Sequence, residues 1–240
     1  MPILSSLIGT LANTATVILG SLLGMLIGKG LPERLSRALM FAIGLSTVYI
    51  GVSGCIKGQN TLVIILSLII GTLIGEGVDL DKHINRLGKW AENACNRGGG
   101  NLTIAEGFVN ASLLFCVGAM TIVGSLNSGL TGDHTMLYAK ACLDFISATI
   151  FASTMGLGVM LSAVVVLVLQ GGIALSAHLI APLLTDAIIN EMTCIGSVLI
   201  LGLALNLLGV TKLKMMNFVP AIFLPLLLCP LYDLILSLIG

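Results

Sequence analysis

From Phe145 to Thr185 the chain carries no Asp, Glu, Lys or Arg, and just ahead of that run stand Lys140 and Asp144. About 20 apolar residues of helix cross a hydrocarbon core. The run therefore holds enough chain for a membrane span and more, and a charge pair at its edge points to a polar site inside the bilayer. The rest of the composition agrees: 57% of residues are hydrophobic and 9% are charged, against roughly 25% charged in soluble domains. The expected fold class is all-α, a polytopic transmembrane helix bundle.

Apolar stretches between charges place eight candidate spans: Ile3 to Ile27, Ala38 to Ile56, Leu62 to Gly77, Ile104 to Leu126, Met136 to Met155, Leu157 to Ile180, Ala187 to Val210 and Phe218 to Leu238. Hydropathy alone leaves Met136 to Ile180 open as one broken helix or two spans. Lys and Arg accumulate in short cytoplasmic loops. With eight spans and both termini outside, those loops hold Lys29, Arg34 and Arg37, then Lys82, Arg86, Lys89 and Arg97, then Lys212 and Lys214. Merging spans five and six would move Lys212 and Lys214 outside, so eight spans are expected. The first stretch lacks the basic flank and cleavage site of a secretory signal and is expected to stay as a span.

Residues 1–240 are read as a single transmembrane domain. Its polar interruption, 79–101, sets Leu80, Ile84, Leu87 and Ala91 at helical spacing, which predicts a cytoplasmic amphipathic helix resting on the headgroups. Gly98, Gly99 and Gly100 end it as a loop. A faint repeat pairs Gly44 with Gly196, Gly51 with Gly202 and Pro32 with Pro182. On the expected topology the first three and last three spans run in opposite senses, the inverted arrangement of many secondary transporters.

Polar groups inside a span lack water, so each calls for a reason. In span five Lys140, Asp144, Ser147 and Thr154 fall at i, i+4, i+7 and i+14, on one stripe with Phe151. Two readings stand for the pair: a switchable charge pair in a site, or an interfacial salt bridge with Lys140 snorkelling to water. Ser147, Thr149, Ser153 and Thr154 run on into Gly156 and Gly158, which suggests a helix that breaks within the membrane and frees backbone groups for a solute. In span four Asn110, Thr121 and Ser125 share one side with Gly118, between Glu106 and Asn127. Interhelical hydrogen bonding would serve equally for each of them singly. Span one adds Asn13 and Thr14, which can face the same cavity.

Gly20, Gly24 and Gly28, like Gly71 and Gly75, have the spacing of tight helix contacts and admit a homo-oligomer. Glu76, Gln170, His178, Asn206 and Asp233 stand alone and suggest no role. Thr131-Gly132-Asp133-His134 reads as an outer loop in which Asp133 caps span five. The six cysteines are scattered singly, without metal-ligand spacing, and are read as packing residues. No metal, cofactor or nucleic acid partner is expected. No nucleophile motif, HExxH or P-loop stands in the sequence, so an enzyme is not expected either.

The block Phe115-Cys116-Val117-Gly118-Ala119-Met120-Thr121-Ile122-Val123-Gly124, with Gly129-Leu130-Thr131-Gly132-Asp133, Lys140, Leu143-Asp144-Phe145 and Phe151-Ala152-Ser153, resembles the bacterial YqgA/YdfK family. Leu31-Pro32-Glu33-Arg34 and the Gly71 to Glu76 stretch do so too. The resemblance runs over essentially the whole chain. It implies a multi-pass protein of the bacterial inner membrane, described as a candidate transporter without an established substrate, and it supplies no catalytic residues. The expected function is a secondary transporter of a small polar or ionic solute among membrane lipids. The alternatives are a passive channel, or a non-transporting membrane scaffold. Candidate solute-binding residues are Lys140, Asp144, Ser147, Thr154, Asn110, Thr121, Ser125 and Asn13, with Gly156 and Gly158 as helix-break residues.

Overall fold

A computed structural model of the protein describes residues 3–28, 32–83, 86, 104–116 and 119–239. The amphipathic helix and glycine loop expected over 79–101 lie outside the described residues from 87 on. The described residues form helices α1 (Ile3–Gly28), α2 (Glu33–Cys55), α3 (Thr61–Val78), α4 (Ile104–Cys116), α5 (Ala119–Leu130), α6 (Thr135–Met155), α7 (Leu157–Leu175) and α8 (Asp186–Leu207). After α8 come a 3-10 helix, Met215–Phe223, and α9, Pro225–Ile239. Among the described residues, the all-α bundle is what the sequence leads one to expect.

Five helices, α1, α3, α6, α7 and α8, are each long and apolar enough to cross a bilayer. Two bent pairs, α4 with α5 at 61° and the 3-10 helix with α9 at 45°, would bring the number to seven if each is taken as one span. In α2 the apolar part is shorter, Met40–Cys55. Proline accounts for the second bend, since Pro220 and Pro225 lack the N–H that a continuous α-helix needs.

Close glycine contacts fix the directions. Gly20 lies on Phe145, Gly24 on Thr149 and Gly28 on Ser153, so α1 and α6 run parallel. α7 begins at Leu157, beside the Gly28 end of α1 where α6 ends, and farther along it Gly171 meets Leu7 and Thr10, so α7 runs antiparallel to α1, and hence to α6. The stretch Met136 to Ile180 is thus two spans joined by a reversal. α2 lies antiparallel along α8, with Gly44 at Leu208, Gly51 at Leu201 and Gly54 at Ser197. α3 lies antiparallel along the 3-10 helix, with Gly71 at Ala221 and Gly75 at Asn217. The first three spans therefore pack on the last three in opposite senses, a condition that an inverted repeat requires.

These directions bring Arg34, Arg37, Lys82, Lys212 and Lys214 to one end of the bundle, here the basic end. There Lys214 pairs with Asp79 at 3.8 Å, and the amide of Asn217 accepts the Asp81 N–H at 2.8 Å. At the opposite end Asp133 accepts the Thr135 N–H at 2.9 Å just ahead of α6, whose N-cap position is His134 rather than Asp133. That N–H holds the exposed Asp133 carboxyl below its ordinary range. α8 is the central rod, with 78% of its apolar window buried, whereas α3, at 22%, lies at the periphery.

Candidate functional site

The polar site is assembled from three helices stepping out of one apolar layer. Val17 on α1, Ala148 on α6, Val166 on α7 and Phe115 on α4 belong to a single buried cluster. One helical turn farther from the basic end, each of the first three helices changes from apolar to polar: Val17 gives way to Asn13, Ala148 to Asp144 and Val166 to Gln170. All three polar residues are buried, and Asn13 and Gln170 are completely so. Asp144 stands near the middle of the 21-residue α6, which puts this layer near the middle of the membrane.

Asp144 holds the layer together. Its Oδ1 accepts from Lys140 Nζ at 3.0 Å, and its Oδ2 accepts from Asn13 Nδ2 at 3.0 Å. Lys140 is 6% exposed and Asp144 5%, so of the two readings the structure excludes the snorkelling lysine. A charge pair kept from water on both sides is worth little net stability, but removing one partner leaves an expensive orphan.

Several polar atoms beside the pair have no hydrogen-bond partner among the described residues: Thr10 Oγ1, Asn13 Oδ1, Ser125 Oγ, and both Oε1 and Nε2 of Gln170. Helix register sets them at similar depth. Thr10 stands next to Gly171, and Gly129 on α5 packs on Ala174 of α7, so that Ser125 and Gln170, each one turn back, lie at the same depth. Gln170, which its isolation in the sequence left without a role, is therefore part of this layer. Its signal was weak: one amide in a long apolar run, with no polar neighbour at helical spacing.

The break expected at Gly156 and Gly158 has a different place. Gly156 does end α6, at φ 65°, where a residue with a side chain would be strained. It does so at the basic end, in the turn between two spans, and Gly158 packs against the backbone of Ile104 and Phe108. A 61° bend falls instead between α4 and α5. There Thr121 Oγ1 donates to the Phe115 carbonyl, at 3.2 Å.

Other candidates move away from the site. Beyond Asp144 the buried face of α6 continues as Ala148, Phe151, Ala152 and Met155, leaving Ser147 and Thr154 half-buried on its flank. Thr149, Ser153 and Thr154 donate to carbonyls of their own helix, so those hydroxyls are already engaged. Asn110, whose Nδ2 is 3.6 Å from Met155 Sδ, lines a cleft of ≈ 510 Å³ at the basic end, together with Glu106, Asn206, Lys212 and Met215. Phe115, Phe151, Met155 and Val159 lie between that cleft and Asp144. Toward the opposite end, Leu137 is fully buried against Gly9 and Gly124. Above it Ser128 donates to the Ser6 carbonyl at 2.7 Å, and its oxygen lies 2.8 Å from His134 Nδ1. With its single proton spent on Ser6, Ser128 must accept from the ring.

Glu191, within the seventh expected span, is inside α8 and 3% exposed. Its Oε1 accepts the N–H groups of Gln59 and Asn60, at 2.8 and 2.7 Å, fastening the α2–α3 turn to the central rod. Among the described residues, no group of three or more His, Cys, Asp or Glu could hold a metal ion.

Apolar helices of spanning length around a buried ion pair define a multi-pass membrane protein. The chain belongs to the family described as protein of unknown function (DUF554), whose profile matches residues 8–230. It is 33% identical over 222 residues to the uncharacterized membrane protein YdfK of Bacillus subtilis (strain 168), a match covering 90% of this chain and 93% of that one. It is 32% identical over 220 residues to the uncharacterized protein YqgA of Escherichia coli (strain K12), covering 90% of this chain and 94% of that one. No solved structure matches.

Proposed function

We propose that this protein is a secondary transporter of a small polar or ionic solute, with its site at the layer formed by Asn13, Lys140, Asp144 and Gln170. The observation that carries the reading is the Lys140–Asp144 pair, buried near mid-membrane and bonded to a second span through Asn13. Ionisable groups at that depth are costly and typically mark solute or ion pathways. The bend between α4 and α5 is the second support, because broken helices line the solute sites of many transporters. Apolar layers on both sides of the pair suit a site that is never open to both ends at once. Gly20, Gly24, Gly28, Gly71 and Gly75 are filled by contacts inside the chain, which removes the argument for a scaffold built on those faces. The reading places the protein in the bacterial cytoplasmic membrane, with the basic end in the cytoplasm and both termini outside.

The test is flux in proteoliposomes. Asp144→Asn keeps the shape of the side chain but removes the charge and turns one of the two acceptor oxygens into a donor. Solute uptake by the wild type and none by the folded variant is the expected result. Equal uptake by both would take Asp144 out of the mechanism.

A further inference from the structure

We infer that Cys55 and Cys194 are a redox pair, converted by exchange with an external disulfide into a reversible bond that staples the end of α2 to the central rod α8. The two stand 139 residues apart in sequence, and the fold brings them into contact. Cys194 Sγ donates to the Cys55 carbonyl at 3.2 Å, and the two thiol side chains also interact with each other. Cys55 is the last residue of α2, where helix carbonyls run out of N–H partners. The Gly58 N–H shares the same carbonyl at 3.3 Å, so the chain turns around the Cys194 sulfur.

Further contacts hold the pair in place. A Cβ at Gly58 would fall 2.6 Å from Cys194 Sγ, which leaves room for glycine alone. One turn before Cys194, Glu191 fastens the N–H groups of Gln59 and Asn60 to the same face of α8. A disulfide needs β-carbons about 3.5–4.5 Å apart, so it forms where two main chains are already held close. Gly51 on Leu201 and Gly54 on Ser197 close the seam that leads up to the pair. Bond formation then asks for rotation of side chains, not for movement of a helix.

Exposure sets the order of steps. Cys194 is 3% exposed, whereas Cys55 is half-buried and followed by the exposed Ile56 and Lys57. Cys55 is therefore reached first. Its thiol gives a proton to water, the thiolate attacks one sulfur of the incoming disulfide, and the other sulfur leaves as a thiolate. Cys194, deprotonated in turn, attacks Cys55 Sγ in the mixed disulfide and expels the second thiolate. Two protein thiols are oxidised, one disulfide is reduced to two thiols, and the two protons end on those. The pair lies at the end opposite the basic one, which the proposed topology puts outside, where disulfides persist. The inference rests on that orientation and on nothing about the solute.

The experiment treats the purified full chain in detergent with oxidised glutathione at about pH 8, where thiolate is available, or with dithiothreitol. Free thiols are then blocked with N-ethylmaleimide and the digest is read by mass spectrometry. Peptides joined through Cys55 and Cys194 are expected, separated by dithiothreitol and absent from Cys55→Ala and Cys194→Ala. The oxidised wild type should melt higher than the reduced protein, and amide exchange at Gln59 and Asn60 should slow about tenfold or more. Neither change should occur in the variants. In acid-quenched membranes of aerobic cells the pair should already be joined. No link while the exposed Cys142 is alkylated, a link to another cysteine in greater yield, or both thiols found free in those membranes would overturn the proposal. Loss of solute flux with the link intact would remove the transporter reading alone.

Discussion

Asn13 and Asp144 meet across the interface between two parallel spans, the amide nitrogen of one 3.0 Å from the carboxylate of the other. Because α1 and α6 run in the same direction, this bond ties together two helices that share no connecting loop. Asn13→Ala leaves Asp144 with Lys140 alone. A hydrogen bond to a charged group is worth about 1.5–3 kcal/mol, and a loss of that size is expected in the unfolding free energy in detergent. Asn13→Asp should lose more, because it sets two carboxylates side by side. If Asn13→Ala unfolds like the wild type, the contact has no energetic weight.

Lys140 and Asp144 should be strongly non-additive. Breaking a buried pair from one side costs about 3–5 kcal/mol, since the remaining charge is stranded. Lys140→Met combined with Asp144→Leu removes both charges and should be more stable than either single variant. Denaturant titration of all four proteins measures the coupling, and additivity would mean that the two groups are solvated separately.

The glycines separate into positions that are filled and positions that are open. A Cβ at Gly24 would fall on the Thr149 carbonyl oxygen, whereas one at Gly172 meets nothing within 4 Å. Gly24→Ala should lower the yield of monodisperse protein and its melting temperature. Gly172→Ala should stabilise, by about 0.5–1 kcal/mol of helix propensity. Size-exclusion profiles and melting curves of the two variants provide the comparison, and a reversed order would contradict the helix seams described here.

Glu191→Ala leaves the N–H groups of Gln59 and Asn60 without their acceptor. Orphaned buried donors cost about 1–3 kcal/mol each. The loss should be local: faster hydrogen exchange over the α2–α3 turn, with protection unchanged in α6 and α7. Uniform loss of protection would instead make Glu191 a global anchor.

The sequence was most informative where several residues on one helix declared the same thing. Lys140 and Asp144 are separated by one turn at the edge of an uncharged run, and Asn13 is the one amide in a span whose other polar side chains are hydroxyls, so all three could be found without a partner in view. Gln170 could not, because its meaning comes from Asn13 and Asp144 across two interfaces that no one-dimensional pattern contains. Glycines next to hydroxyls led to Gly156 as a break within the membrane, yet those hydroxyls bond their own helix and the glycine turns the chain between spans. The bend between α4 and α5 lies inside an apolar stretch that hydropathy reads as continuous. The acceptor role of Glu191 was not legible, since it depends on a turn more than a hundred residues away.

Where Gly20, Gly24 and Gly28 seat α1 on α6, the carbonyl oxygens of Phe145, Thr149 and Ser153 stand directly against it. Sliding either helix along the other would drive Cα atoms into carbonyl oxygens at successive turns. The two behave as one strut, which carries Asn13, Lys140 and Asp144 as fixed cargo. On the transporter reading, any rocking would come from the helices that meet this strut through side chains.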